Sequence, residues 1–376
     1  MTEGKIGIIS IGDMGMGIAK LLVAHGFSVA TTCKGRSNDT LERARSASVE
    51  VFDSDEELVE TCDVILSVVP PRDALATAQR VANALTQSRE GPLTSRSPSG
   101  SKEREPRPQQ RTLYFADLNA VAPSTVKTIA SLFDDDDDDG EEEKVKQEDN
   151  KRSFRAHVRF IDGAIIGGPP SLNQDPNNNN NNGDDDASWT KPSIPTSGPY
   201  SNLSDIGLHK LYATLNMRHI SPTVGAASGL KMCFASLTKG FTALAIQSVT
   251  TAKQLGVLDE LRAECRGHIP DRWTAVERGL VGMPPKAYRW VREMEEIALA
   301  FAEEGGFTSN SGSDPNSNSP PQGDMLFRGV AEIYRTVAED TVLGEENVGR
   351  RKRGLDVDDV ATAVAEALER KRKKNA

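Results

Sequence analysis

KIGIISIGDMGMGIAKLLVAHGFSVATT, residues 5–32, is the stretch on which the fold turns. It opens with a short isoleucine-rich apolar run, passes through a glycine turn, and then places Met14, Ile18, Leu21 and Leu22 at helical spacing. Gly26 ends that helix, and residues 27–32 (FSVATT) read as a second strand. Strand, tight turn, helix, strand is the βαβ unit that binds dinucleotides, with the pyrophosphate on the backbone of the turn and the helix N-terminus. The turn itself is Ser10-Ile11-Gly12-Asp13-Met14-Gly15, so serine replaces the usual first glycine while the second and third remain.

At the tip of the second strand an NAD site would need Asp or Glu for the ribose hydroxyls. The chain has Lys34, Arg36 and Ser37 there instead, two cations and a hydroxyl suited to a 2′-phosphate, so NADP(H) is preferred over NAD(H). Beyond it come a helix from residue 39, a small strand at 49–52, a buried strand at 63–69 ending in Pro70-Pro71, and a helix at 72–85. Residues 112–133 give strand, turn and helix, 156–161 another strand, 193–196 a short one, 205–215 a helix and 217–220 a strand. The fold class is therefore α/β, an N-terminal Rossmann-type doubly wound sheet over residues 1–222. An all-α C-terminal domain over 223–376 follows, with helices expected at 273–280, 288–303, 326–340 and 357–374.

Four low-complexity stretches interrupt this pattern and read as flexible inserts: residues 86–111, 134–153, 171–191 and 307–322. Asp134 to Asp139, Glu141 to Glu143 and Asp184 to Asp186 supply 12 negative charges, more than the whole formal charge of -10. The acidity belongs to the inserts and says little about a partner. No apolar run approaches a bilayer span and MTEGK lacks the start of a signal peptide, so a cytoplasmic protein without membrane or nucleic-acid partner is expected. Cys33, Cys62, Cys233 and Cys265 are scattered among five histidines, which suggests buried structural thiols and no metal site.

The candidate for chemistry lies in residues 221–256. Leu230, Phe234, Leu237, Phe241 and Leu244 recur at steps of four and three, a single face of a long helix. Lys231 sits one residue off that seam near the helix start, where positive potential and partial burial ease deprotonation of an amine. It is a candidate acid/base, against the alternative of a lysine reaching to solvent. The basic runs at 350–353 and 370–374 resemble a nuclear-import signal, but cations at a helix C-terminus are also favourable in themselves.

Four stretches in register resemble the β-hydroxyacid dehydrogenase family, which includes 6-phosphogluconate and 3-hydroxyisobutyrate dehydrogenases, in the branch with its own helical C-terminal domain. They are Gly12-Asp13-Met14-Gly15, Asp117-Leu-Asn119 with Pro123, the loop from Asp162 to Gly168, and Gly225 to Lys231. The resemblance implies Lys231 as general acid/base in hydride transfer between the nicotinamide and a hydroxy acid or related carbonyl compound. It implies cofactor contacts from Ser10, Ile11, Gly12, Asp13, Met14, Gly15, Lys34, Arg36, Ser37, Val69, Pro70 and Asn119, and substrate contacts from Ile166, Gly167, Gly168 and Ala235. Ile166 stands where the family has a substrate-binding serine and Ala235 where it has asparagine, which points to a more apolar pocket. The family pairs through its helical domains, so a homodimer is expected. A C=N reductase related to the imine reductases, and an NADP(H)-binding sensor or scaffold without turnover, are the competing readings.

Overall fold

The computed structural model describes residues 4–35, 38–88, 111–134, 156–172, 189–200, 206–308, 324–347 and 349–375. The four expected inserts fall outside these residues except at their edges, as do Arg36 and Ser37. The chain forms two compact units, Met1–Asn119 with Thr125–Ser228, and Ala120–Ser124 with Gly229–Ala376. The division falls between residues 228 and 229, inside a helix, where the sequence suggested 222 and 223.

The first unit alternates strands with helices largely in the order expected, with one helix and one ribbon added. Its strands are β1 (Ile6–Ile9), β2 (Val29–Thr32), β3 (Glu50–Phe52), β4 (Val64–Ser67), β5 (Arg111–Asp117) and β6 (Ala156–Gly163). The helices are α1 (Asp13–Ala24), α2 (Asn38–Ser46), α3 (Asp55–Thr61), α4 (Ala74–Ser88) and α5 (Pro123–Ser131). A two-stranded ribbon, β7 (Ser171–Leu172) with β8 (Trp189–Thr190), shows that the edges of the third expected insert are ordered strands. Then follow β9 (Ile194–Ser197), α6 (Ile206–Thr214) and β10 (Met217–Ser221).

One eight-stranded sheet runs β3, β2, β1, β4, β5, β6, β9, β10 in space. All neighbours are parallel except β6 and β9. β1 and β4 are buried along their whole length, which is why they read as unbroken apolar runs and not as alternating ones. The strand order reverses between β1 and β4, so a crevice opens at their C-terminal ends, where open α/β sheets hold ligands. The sequence reading missed α3, although its start is written in the chain: Ser54 accepts from the Glu57 N–H at 3.1 Å, and Glu57 reaches back to the Asp53 N–H.

The second unit is helical: α7 (Ala226–Ala235), α8 (Phe241–Leu255), α9 (Leu258–His268), α10 (Pro270–Gly282), α11 (Ala287–Glu303), α12 (Met325–Arg335) and α13 (Val357–Asn375). Its core gathers Trp273, Met294, Ile297, Tyr334 and Val360. Ala122 belongs to it as well, because its N–H donates to the buried Glu296 carboxylate at 2.8 Å. The expected single long helix is instead α7 and α8 joined by a π turn, Ser236–Gly240. A second π turn, Thr336–Asp340, ends the helix expected over 326–340.

The apolar seam is corrected by the structure. Leu230, Phe234, Leu237 and Leu244 are exposed, Leu237 to 78%, whereas Met232, Ala235, Ala243, Ile246 and Val249 face the core. On α13, Val357, Val360 and Val364 are buried. The basic run before it is occupied in the fold, since Arg351 donates to the carbonyls of Val281 and Gly354 and Arg353 pairs with Asp359 at 2.7 Å. Cys33 and Cys62 are buried as expected, but Cys233 is exposed. No described helix is long and apolar enough to cross a membrane, and no group of metal ligands occurs among the described residues.

Candidate active site

In the first unit a cleft of about 550 Å³ opens at the C-terminal ends of β1, β2 and β4. Ser10, Ile11 and Gly12 line it from the turn into α1, Lys34 from beyond β2, and Val69 and Pro70 from beyond β4. Gly12 is the N-cap of α1 and offers no side-chain acceptor, so the first-turn N–H groups keep their capacity for an anion. A Cβ at Gly12 would meet nothing nearer than Ser10 Oγ at 3.9 Å, so the space in front of the turn is open. A Cβ at Gly15 would fall 2.1 Å from the Ser10 carbonyl oxygen, so Gly15 serves close packing of helix on turn. Asp13, Met14 and Gly15 do not line the cleft; they build the helix behind it. Ser10 takes φ +80°, the left-handed backbone that explains why a glycine is usual at this position.

Lys34 is exposed on the cleft and makes no ion pair among the described residues. Arg43, which the sequence reading missed, also lines the cleft; its Nε donates to the Ile11 carbonyl at 2.8 Å and its Nη2 to Thr40 at 3.2 Å. An arginine in the middle of α2 lies too far from the strand tip in sequence for a motif reading to find it. The carboxylate of Asp55 is held by Arg80 at 2.8 Å and by the Thr32 hydroxyl at 3.0 Å, so it is already engaged. Open donors in front of α1, cations on the β2 side and an engaged acid together fit a phosphorylated dinucleotide.

Asn119 does not line the cleft. It is buried and works from behind: its Oδ1 accepts from the Val69 N–H at 2.7 Å, while its Nδ2 donates to Ser67 and Asp117. Burial pushes the Asp117 carboxyl up to about 7, the Asn119 hydrogen bonds oppose that, and Asp162 adds to it. The cluster fixes the loop that presents Val69 and Pro70.

Asp162 opens the loop expected to hold substrate, but its side chain is buried and anchors a helix start. It accepts from the Gly225 N–H at 2.8 Å, the Ala227 N–H at 3.2 Å, the Ser228 hydroxyl at 2.7 Å and the Ser197 hydroxyl at 2.6 Å. Ile166 is half-buried and exchanges two backbone hydrogen bonds with Ser193. Gly167 is exposed at φ +133°, with Pro192 3.1 Å from where a Cβ would lie, and Gly168 faces open space.

In the second unit Lys231 is half-buried on α7, and burial, then Arg289, hold its amine down to about 8. Ala235, expected to touch substrate, is instead 2% exposed and belongs to the core of this unit. The residue that sequence reasoning missed here is Lys239, in the π turn. Its amine contacts the Glu293 carboxylate and lies 5.0 Å from the Trp290 ring centre, and the Tyr334 hydroxyl donates to its backbone carbonyl. Burial, then Lys231, Arg289 and Lys286, push the Lys239 amine well below the usual lysine range, against the pull of Glu293.

Two segments of the chain match described families. Residues 5–89 match the family described as NADP oxidoreductase, coenzyme F420-dependent, and residues 252–337 match a domain of unknown function, DUF1932. An uncharacterised 28.5 kDa protein from the 7S RNA 5′ region of Methanothermus fervidus is 23% identical over 257 residues, 68% of this chain and 74% of that protein. Among solved structures, a conserved protein of unknown function described as similar to 3-hydroxyacid dehydrogenases is 21% identical, covering 89% of this chain and 97% of that one, with TM-score 0.50. Mycobacterium tuberculosis 3-hydroxyisobutyrate dehydrogenase with L-serine is 16% identical, covering 96% of this chain and 98% of that one, with TM-score 0.53. The fold is the one shared with the 3-hydroxyacid dehydrogenases: a Rossmann-like parallel-sheet domain followed by a helical one.

Proposed function

We propose that this protein is an NADP(H)-dependent oxidoreductase acting on a hydroxy acid or a related carbonyl compound, with Lys231 as general acid/base. The observation that carries the reading is the half-buried Lys231 amine, held down to about 8, where both of its protonation states are populated near neutral pH. Support comes from the open turn at Ser10–Gly12 with Lys34 and Arg43 on the same cleft, and from the match of residues 5–89 to an NADP oxidoreductase family.

Bound NADP(H) would supply the hydride acceptor or donor. The first-turn N–H groups of α1 would hold its pyrophosphate, and Lys34 and Arg43 its 2′-phosphate. Lys231 takes the proton of the substrate hydroxyl on oxidation and returns one to the carbonyl oxygen on reduction. A homodimer is part of the reading, formed through the outward apolar face of α7 and α8.

The test has two arms. NADPH should bind the purified chain at micromolar concentration by fluorescence, and Lys34→Ala should weaken NADPH more than NADH. Against a panel of hydroxy acids, ketones and cyclic imines, Lys231→Met should lower kcat by about a hundredfold or more while the NADPH affinity stays, as loss of an acid/base group does. Unchanged turnover in that variant removes the role of Lys231, and turnover of imines alone moves the enzyme to C=N reduction.

A further inference from the structure

The cleft of the first unit has a further wall. Beyond Lys34 and Arg43 it is lined by Ser54 and Asp55 at the start of α3, by Arg72 and Asp73 just before α4, and by Arg80 on α4. With the pyrophosphate on the turn at Ser10–Gly12 and the 2′-phosphate on Lys34 and Arg43, the part of a dinucleotide left for this wall is the purine base. A base is held most readily by stacking its flat face on another flat group. Among the described residues that line the cleft none is Phe, Tyr, Trp or His, so the flat groups they offer are guanidiniums.

The arginines of the cleft differ in how they are held. Arg43 is turned toward the Ile11 carbonyl and Thr40, on the phosphate side. The Arg72 side chain is 68% exposed, and its Nε reaches its own neighbour Asp73 at 3.5 Å, the long limit of a hydrogen bond. Arg80 is fixed. Its Nε donates to Asp55 Oδ2 at 3.0 Å, and its Nη2 donates to Oδ1 at 2.9 Å and to Oδ2 at 2.8 Å. Asp55 is fixed in turn by the Thr32 hydroxyl at the end of β2, at 3.0 Å. A guanidinium gripped along one edge by a carboxylate has its plane set while its two faces stay free of hydrogen bonds. The carboxylate also offsets its charge, so Arg80 does not compete with the first turn of α1 for phosphate.

We propose that the Arg80 guanidinium, held flat by Asp55, is the platform on which the adenine of the nucleotide stacks. Guanidinium planes stack on bases much as aromatic rings do, and a weakly hydrated guanidinium gives up little water in doing so. Asp55 is a positioning residue here: it touches the base only through the plane that it orients. The inference rests on the proposed function for the presence of a nucleotide in the cleft and adds the residues that hold its base.

The probes are NADPH and adenosine 2′,5′-bisphosphate, which keeps the adenine, ribose and 2′-phosphate and lacks the nicotinamide half, titrated calorimetrically into the full chain. Arg80→Ala and Arg80→Lys should each weaken both ligands about tenfold, the scale of one lost base stack. Lysine can keep the ion pair with Asp55 but has no plane, so it should not rescue binding. The urea midpoint of Arg80→Lys should match that of the wild-type chain, because the pair is partly exposed and its charges are retained. Full affinity in Arg80→Lys, or a loss for NADPH that adenosine 2′,5′-bisphosphate does not share, overturns the proposal. So does an affinity loss found only in a variant whose urea midpoint has fallen, since that is the mark of a brace between α3 and α4. Should NADH bind the wild-type chain as tightly as NADPH, the 2′-phosphate part of the proposed function falls, and the affinity of AMP for Arg80→Lys then decides the platform. A wild-type chain that binds no adenine nucleotide overturns both.

Discussion

Two residues carry local strain or strained ionisation that can be measured directly. Lys231 has its amine lowered to about 8, first by burial and then by Arg289. If Lys231 is the proposed acid/base, it must be neutral to accept a proton, so kcat/KM for oxidation should rise with pH and level off above about 8, while reduction, which needs the charged amine, should fall there. Removing Arg289 takes away a charge that favours the neutral amine, so Arg289→Ala should move the oxidative limb to higher pH. A pH profile that stays in place in that variant would exclude Arg289 as a neighbour acting on the amine. Ser10 holds φ +80°, a conformation that costs a residue with a Cβ about 1–2 kcal/mol. Glycine removes that strain but loses about 0.5–1 kcal/mol through its freer unfolded chain, so Ser10→Gly should gain only about 0.5 kcal/mol in urea unfolding. The missing glycine was visible in the chain as a departure from the fingerprint. Arg43 was not, because only the folded path of α2 brings it to the Ile11 carbonyl.

At the scale of elements, the most consequential contact is the Asp162 carboxylate at the start of α7. It answers three backbone N–H groups and two hydroxyls in a buried place. Asp162→Ala leaves those donors unmet at a helix N-terminus, and should destabilise the full chain by about 3 kcal/mol or more in denaturant unfolding. A loss under about 1 kcal/mol would show that water replaces the carboxylate there. The sequence marked Asp162 as a motif residue but gave it to a substrate loop. Its burial depends on β9 lying antiparallel to β6, with Asp162 opposite Ser197, and that pairing joins residues across a long insert. The strands β1 and β4 were legible because both of their faces are covered, so their composition alone declares them. The π turn was not legible, since steps of three and four continue through Leu237, Phe241 and Leu244 as if the helix were regular. The inward face of α7 and α8 is made largely of alanine, with Ala235, Ala243 and Ala245 buried, so the larger side chains that dominate an apolar pattern marked the wrong face.

For the molecule as a whole, that outward face is the feature with the largest consequence. Leu230, Phe234, Leu237, Leu244 and Leu255 are exposed along α7 and α8, Leu237 and Leu255 to more than 70%. Scattered apolar residues on a surface mean little, but a run along one pair of consecutive helices is what an association surface presents. A face of this kind on a two-fold axis meets itself, so the same leucines would lie on both sides of the contact. The proposed dimer should therefore sediment as a single species of twice the chain mass at micromolar concentration. Leu237→Glu with Leu244→Glu would bring charges to the centre of the contact in both copies, where burying an unpaired carboxylate costs far more than the apolar contact returned. These side chains lie outside the core, so the doubly substituted chain should keep its melting temperature at high dilution while sedimenting as a monomer. A wild-type chain that is monomeric at micromolar concentration, or a doubly substituted one that still pairs, would place the contact elsewhere and leave the exposed leucines without this role.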